Sequence, residues 1–222
     1  MKIQKMMSDS CKILRKNPII FLPAFIIALL SAGWGMVSIP VSLNELIIWL
    51  LMLVVITLVS LFLTGTIIRM VYDATRKRLS LKRAMKFVAS KYLTILAATV
   101  LFSIIIGLGF LALIIPGIYL AVRLFFYDYS ILVDGEDTFS SLRKSWKIMK
   151  GRWWDLFGLL IVVAIPIVVI SFLLGFFSGI FFGYNTFMLS AVSSVFSFFV
   201  SLFYIPWAYS VFTLAYLELR RR

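Results

Sequence analysis

Histidine is absent from this 222-residue chain, cysteine occurs once, at Cys11, and acidic residues number 9 against 22 lysines and arginines. Without imidazole the chain lacks the commonest general base and the commonest metal ligand. The lone thiol rules out an internal disulfide. Long polar stretches are missing too: residues 17–44, 46–68, 92–122 and 156–217 hold no charged side chain. These absences point away from an enzyme, and no cofactor, metal or nucleic-acid partner is expected.

What is present is apolar. Hydrophobic residues make up 63% of the chain, aromatics 16%, and the mean hydropathy is +1.07, against roughly 45–50% apolar residues in soluble domains. At about 20 residues per helical crossing of a hydrocarbon core about 30 Å thick, the length suits six crossings with short connections. Lipid offers the backbone no hydrogen bonds, and these runs do not alternate as barrel strands do, so the spans are helices. The expected fold is an all-α polytopic membrane protein, one integral domain over 1–222. Its helices are expected near 18–38, 44–72, 92–115, 117–133, 154–182 and 187–217. A signal peptide is the competing reading of the first span, but the basic segment before it is long and helical in pattern, which suits an uncleaved helix better.

Lysine and arginine fall on one side of this pattern. Five precede the first span, eight surround the second connection, five lie in the fourth and three end the chain. The connections near 39–43, 116 and 183–186 have none. By the positive-inside rule both termini are cytoplasmic, with three short outer turns, in a cell membrane. The same rule requires 117–133 to return to the cytoplasmic side after a turn at Pro116-Gly117. It does so either as a full crossing or as a re-entrant hairpin.

The basic connections are patterned. Phe139, Leu142, Trp146, Met149 and Trp153 recur at helical steps with Arg143, Lys144, Lys147, Lys150 and Arg152 among them, after Asp137 or Thr138 as N-cap. Leu81, Met85, Val88 and Tyr92 repeat this with Lys82, Arg83 and Lys86, and Ile3, Met7, Cys11 and Leu14 sketch a third copy. Three interfacial amphipathic helices result. Their basic residues are expected to contact anionic lipid headgroups. A membrane-protein partner or a homo-oligomer is the other expected association. A threefold repeat of helix plus hairpin, in units 1–75, 76–136 and 137–222, is one explanation of the likeness; the general similarity of basic amphipaths is the other.

A family resemblance rests on Gly65-Thr66-Ile67-Ile68-Arg69, on Pro116-Gly117-Ile118-Tyr119-Leu120-Ala121-Val122-Arg123, and on Ser141-Leu142-Arg143-Lys144-Ser145-Trp146 with Gly151-Arg152-Trp153-Trp154. With these motifs the chain resembles the membrane domain found beside some bacterial glycerophosphodiester phosphodiesterases, and related prokaryotic six-helix families. The resemblance implies fold and topology, and carries no activity.

Two charges interrupt the fourth apolar run. Arg123 and Asp128 lie among Tyr119 and Tyr127, a core polar cluster or binding site. Intramembrane charge is a functional hypothesis by default, while tyrosines four residues to either side offer a structural role through hydrogen bonds or cation–π contact. Asp128 is expected to pair with Arg123 or to keep its proton. The turn Asp134-Gly135-Glu136-Asp137 is expected to cap the next helix rather than bind a cation. In the last hairpin, Ser171, Gly175, Gly179 and Gly183 on one helix and Ser190, Ser194, Ser197 and Ser201 on the next form small-residue faces suited to close packing. Two function classes follow: a non-catalytic protein that organises lipid or a partner at the inner leaflet, or a transporter, channel or lipid-translocating protein for a hydrophobic or amphiphilic substrate.

Overall fold

A computed structural model describes residues 3–37, 40–183 and 185–221; among these the chain is helical with short connections and has no strand. The helices are α1 (Ile3–Lys16), α2 (Phe21–Gly35), α3 (Leu43–Thr75), α4 (Leu81–Ala112), α5 (Ile114–Leu124), α6 (Tyr127–Asp134), α7 (Thr138–Ile148), α8 (Trp153–Phe182), α9 (Thr186–Phe199) and α10 (Ile205–Arg221). Six helical stretches among the described residues are long and apolar enough to cross a membrane: Pro18–Gly35, Leu43–Thr75, Leu81–Ala112, Ile114–Asp134, Trp153–Phe182 and Thr186–Arg221. At 1.5 Å per residue α3 is about 50 Å long, so it outreaches a hydrocarbon core.

Caps set several starts. The Ser42 hydroxyl accepts from the Glu45 amide (3.3 Å) and the Glu45 carboxylate accepts from the Val41 amide (2.9 Å), which closes the exposed start of α3. Asp137 is the N-cap of α7, as expected, and its amide donates to the Ser140 hydroxyl at 2.9 Å. Gly135, at φ +77°, ends α6 in a left-handed conformation that a side chain would strain.

The segments depart from the expected pattern where the chain bends. The 81–92 stretch is not a separate amphipathic helix: Ser80 caps a helix that runs unbroken into the span. The reversal between α4 and α5 occurs at the extended Leu113, not at Pro116-Gly117. Pro116 stands in the first turn of α5, where a missing amide hydrogen costs nothing. The 117–133 segment is two helices, broken at Phe125-Phe126. The last span contains a π-helical turn, Val200–Tyr204, just ahead of Pro206; a proline removes a ladder bond and crowds the preceding carbonyls, and a wider turn accommodates it. On α1 the buried face is Met6, Ser10 and Leu14, and Cys11 is exposed.

The core is gathered around the short α6, whose Tyr129, Ile131 and Leu132 are fully buried against Val88, Ile95, Leu156, Val211 and Tyr216. A second cluster joins Leu14, Ile20, Ala24, Ile67 and Val71. Leu51, Val55, Ile165, Val168 and Ile180 are exposed, the surface of a body solvated by hydrocarbon.

Candidate functional site

Arg123 ends α5 with its guanidinium carbon 4.3 Å from the Trp146 ring centre and 5.5 Å from that of Tyr119. Its Nη1 donates to the Trp146 carbonyl at 3.3 Å. The Ser145 hydroxyl donates to the Arg123 carbonyl and accepts from the Phe126 amide, each at 3.0 Å, so α7 bridges the break between α5 and α6. Tyr119 stacks on Trp153, whose indole donates to the Tyr119 carbonyl at 3.2 Å. Arg123 therefore sits in an aromatic box made by α5, α7 and the start of α8, on the same end as Arg152, which donates to the Leu219 carbonyl at 2.8 Å.

Asp128 does not pair with Arg123. Its carboxylate accepts from the Tyr129 amide at 2.8 Å, and among the described residues no lysine or arginine forms an ion pair with it. Tyr127 hydrogen-bonds Thr99 (3.0 Å) and stacks on Phe102 with ring centres 4.7 Å apart. The four expected cluster residues thus divide into two sites, Tyr119 with Arg123 and Tyr127 with Asp128.

Two charge clusters were missed. Arg69 faces Asp73 one turn on, at 3.4 Å, donates to the Leu132 carbonyl at 2.7 Å, and lies 3.9 Å from the Phe87 ring centre. Its signal was the spacing of four residues in an otherwise apolar helix. The other is Asp134, which accepts from the Tyr216 hydroxyl (2.5 Å), pairs with Lys144 (2.7 Å) and contacts Arg220. Lys144 also pairs with Glu136 at 2.8 Å.

Lys144 and Arg152 are accordingly occupied inside the protein, which limits their role as free headgroup ligands. The Arg143, Lys147 and Lys150 side chains make no hydrogen bond or ion pair with the described residues and line, with Ser140 and the Lys144–Glu136 pair, a groove of about 570 Å³ beside α7 and the end of α10. Lys82, Arg83 and Lys86 are exposed on the first turns of α4, away from the inward Ala84 and Val88. The hydrogen bond from Lys144 holds the Glu136 carboxyl below its ordinary value. Burial would lower the Lys144 ammonium, but Asp134 and Glu136 outweigh it and raise it. The stability contributed by Glu136 is therefore present above pH about 4.5 and lost as pH falls through its depressed value, while that of Lys144 is lost only as pH rises beyond 10.5. Both are partly exposed, so both effects are small.

The small-residue faces of α8 and α9 do not close on one another. A Cβ at Gly175, Gly179 or Gly183 would meet open space, and Ser171 and Gly175 face Ser190 and Ser197 across a groove of about 520 Å³. The close approach is to α2 instead: Ser194 lies against Gly35, whose Cβ would stand 2.6 Å from the serine hydroxyl, and Ser201 donates to Ser31 at 3.0 Å. Small residues alone cannot say which neighbour they face.

Among the described residues no three acidic or cysteine side chains converge as metal ligands. No curated protein and no solved structure matches the chain. Residues 1–107 and 96–217 both match one family, so nearly the whole length is accounted for. The chain belongs to the family described as a domain of unknown function (DUF7847).

Proposed function

We propose that this is a non-catalytic integral membrane protein that gathers anionic lipid headgroups at the inner leaflet, with its basic end cytoplasmic. The observation that carries the reading is the groove beside α7, where Arg143, Lys147 and Lys150 are left without protein partners next to the Ser140 hydroxyl. Three unpaired cations around one concavity favour a phosphate by charge. The neighbouring aromatics Trp153, Trp154 and Phe157, with Ile115 and Ile118, form an apolar surface of the kind an acyl chain covers. Aromatics at this level are what membrane–water boundaries favour.

The test is native mass spectrometry of the purified protein carrying phosphatidylglycerol or phosphatidylcholine. Each basic residue near an anionic surface contributes about 1 kcal/mol, so Arg143→Gln, Lys147→Gln and Lys150→Gln together are expected to weaken phosphatidylglycerol retention roughly a hundredfold at low salt. Phosphatidylcholine adducts are expected to stay as they are. Undiminished phosphatidylglycerol adducts in the triple variant would overturn the reading.

A further inference from the structure

Asp128 opens on a cavity of about 490 Å³ whose lining otherwise carries no charge. Its walls come from four parts of the chain: Phe102 on α4, Tyr127 and Tyr129 on α6, Val163 and Ala164 on α8, and Tyr209 and Phe212 on α10. The size is that of a small-molecule site, which typically encloses about 300–1,000 Å³ with mostly apolar walls and few polar groups. The π-helical turn Val200–Tyr204 borders it, and the Tyr204 hydroxyl crosses to the Val163 carbonyl. Such turns, which displace the helix face that follows them, recur at functional sites.

One feature of this cavity is unexplained by the fold. A carboxylate in the apolar interior of a membrane protein is costly unless it keeps a proton or a cation balances it, and the described residues supply no cation to Asp128. Its hydrogen bond to Tyr129 is to a backbone amide of its own turn. The Asp128 carboxylate asks for something positive in the cavity beside it.

The walls narrow the class. Tyrosine and phenylalanine faces attract cations through the ring quadrupole, and a box of such faces with one carboxylate is complementary to an organic cation with an apolar body. A small hydrated metal ion would find too few oxygens here. A neutral lipid chain would leave the carboxylate uncompensated. We infer that the Asp128 cavity is a binding site for a hydrophobic monovalent organic cation, held by the Asp128 carboxylate and the surrounding tyrosine and phenylalanine faces. The site is separate from the α7 groove, so neither proposal depends on the other.

Tetraphenylphosphonium is a suitable probe, because tetraphenylborate has the same shape and the opposite charge. Equilibrium dialysis of the purified protein in neutral detergent, with empty micelles as background, is expected to show saturable phosphonium binding and no saturable borate binding. Asp128→Asn is expected to weaken the phosphonium roughly tenfold or more, an ion pair and its cation–π support being lost together. Ala164→Trp keeps the carboxylate but fills the cavity, and is expected to abolish binding; it decides the matter should Asp128→Asn not fold. Phosphatidylglycerol adducts are expected to be unchanged in both. Absence of saturable phosphonium binding, equal binding of the borate, or unchanged binding in the folded Asp128→Asn or Ala164→Trp protein would each overturn the inference.

Discussion

Asp134 ties α6 to two other helices through one carboxylate: to α10 by Tyr216 and Arg220 and to α7 by Lys144. Replacing it with Asn removes the charge that holds two cations, one of them only 29% exposed, and leaves the Tyr216 hydroxyl with a weaker acceptor. Arg220 and Lys144 retain some contact with solvent, which softens the loss, so Asp134→Asn is expected to cost about 1–3 kcal/mol. Tryptophan fluorescence during thermal unfolding in detergent measures it. Lys144→Met in the Asp134→Asn background is expected to add less than it does alone, since the pair is already broken. Strict additivity would show that the contact is not energetically formed. None of this was legible beforehand, because the partners Tyr216 and Arg220 are 82 and 86 residues away and nothing local marks them. What local chemistry does mark is the start of α7: the sequence offered Asp137 or Thr138 as its N-cap, and the N-cap is Asp137. Arg123 shows the same division: its need for aromatic company was readable from Tyr119 four residues earlier, whereas Trp146 came from another helix.

At the scale of elements, charge-free runs located the spans well, since a helix in lipid must be both long and apolar. The expected 154–182 became α8, Trp153–Phe182, almost unchanged. The pattern failed at bends, where no residue type announces the geometry. The break at Phe125-Phe126 lies between two ordinary aromatics and is held by a serine from α7. Gly117, read as part of a turn, is instead a point of contact: a Cβ there would stand 2.6 Å from the Phe110 ring, and one at Gly109 would meet Leu120 at 2.9 Å and the Gly117 Cα at 3.0 Å. α4 and α5 pack backbone to backbone through this pair. Gly117→Leu is therefore expected to force the helices apart and cost about 1–3 kcal/mol. Gly107→Leu, where a Cβ meets nothing, is the control and should leave the melting temperature of the detergent-solubilised protein within error. Equal effects from the two substitutions would refute close packing at Gly117.

The whole molecule is asymmetric along its length. The Asp134 cluster, the Arg69–Asp73 pair, the α7 groove and both basic chain ends gather at one end. At the other, Gly35 meets Ser194 while Phe21 meets Phe203, so α2 runs antiparallel to the end of the chain. Between residues 17 and 68 the sole charge is Glu45. A bilayer reads such a difference directly, because translocating lysine and arginine is disfavoured. In a Cys11→Ser background, single cysteines at Ser42 and Asn185, both exposed, are expected to react with an impermeant maleimide added to intact cells. Cysteines at Lys82 and Lys150, exposed at the basic end, are expected to react only after the membrane is permeabilised. Because α7 and the start of α8 follow α5 and α6 directly, Lys150 also reports whether the broken Ile114–Asp134 segment returns the chain to its original side. Reaction of Lys150→Cys in intact cells together with protection of Lys82→Cys would place these two basic segments on opposite faces. That outcome would remove both the shared basic surface and the inner-leaflet role proposed for it.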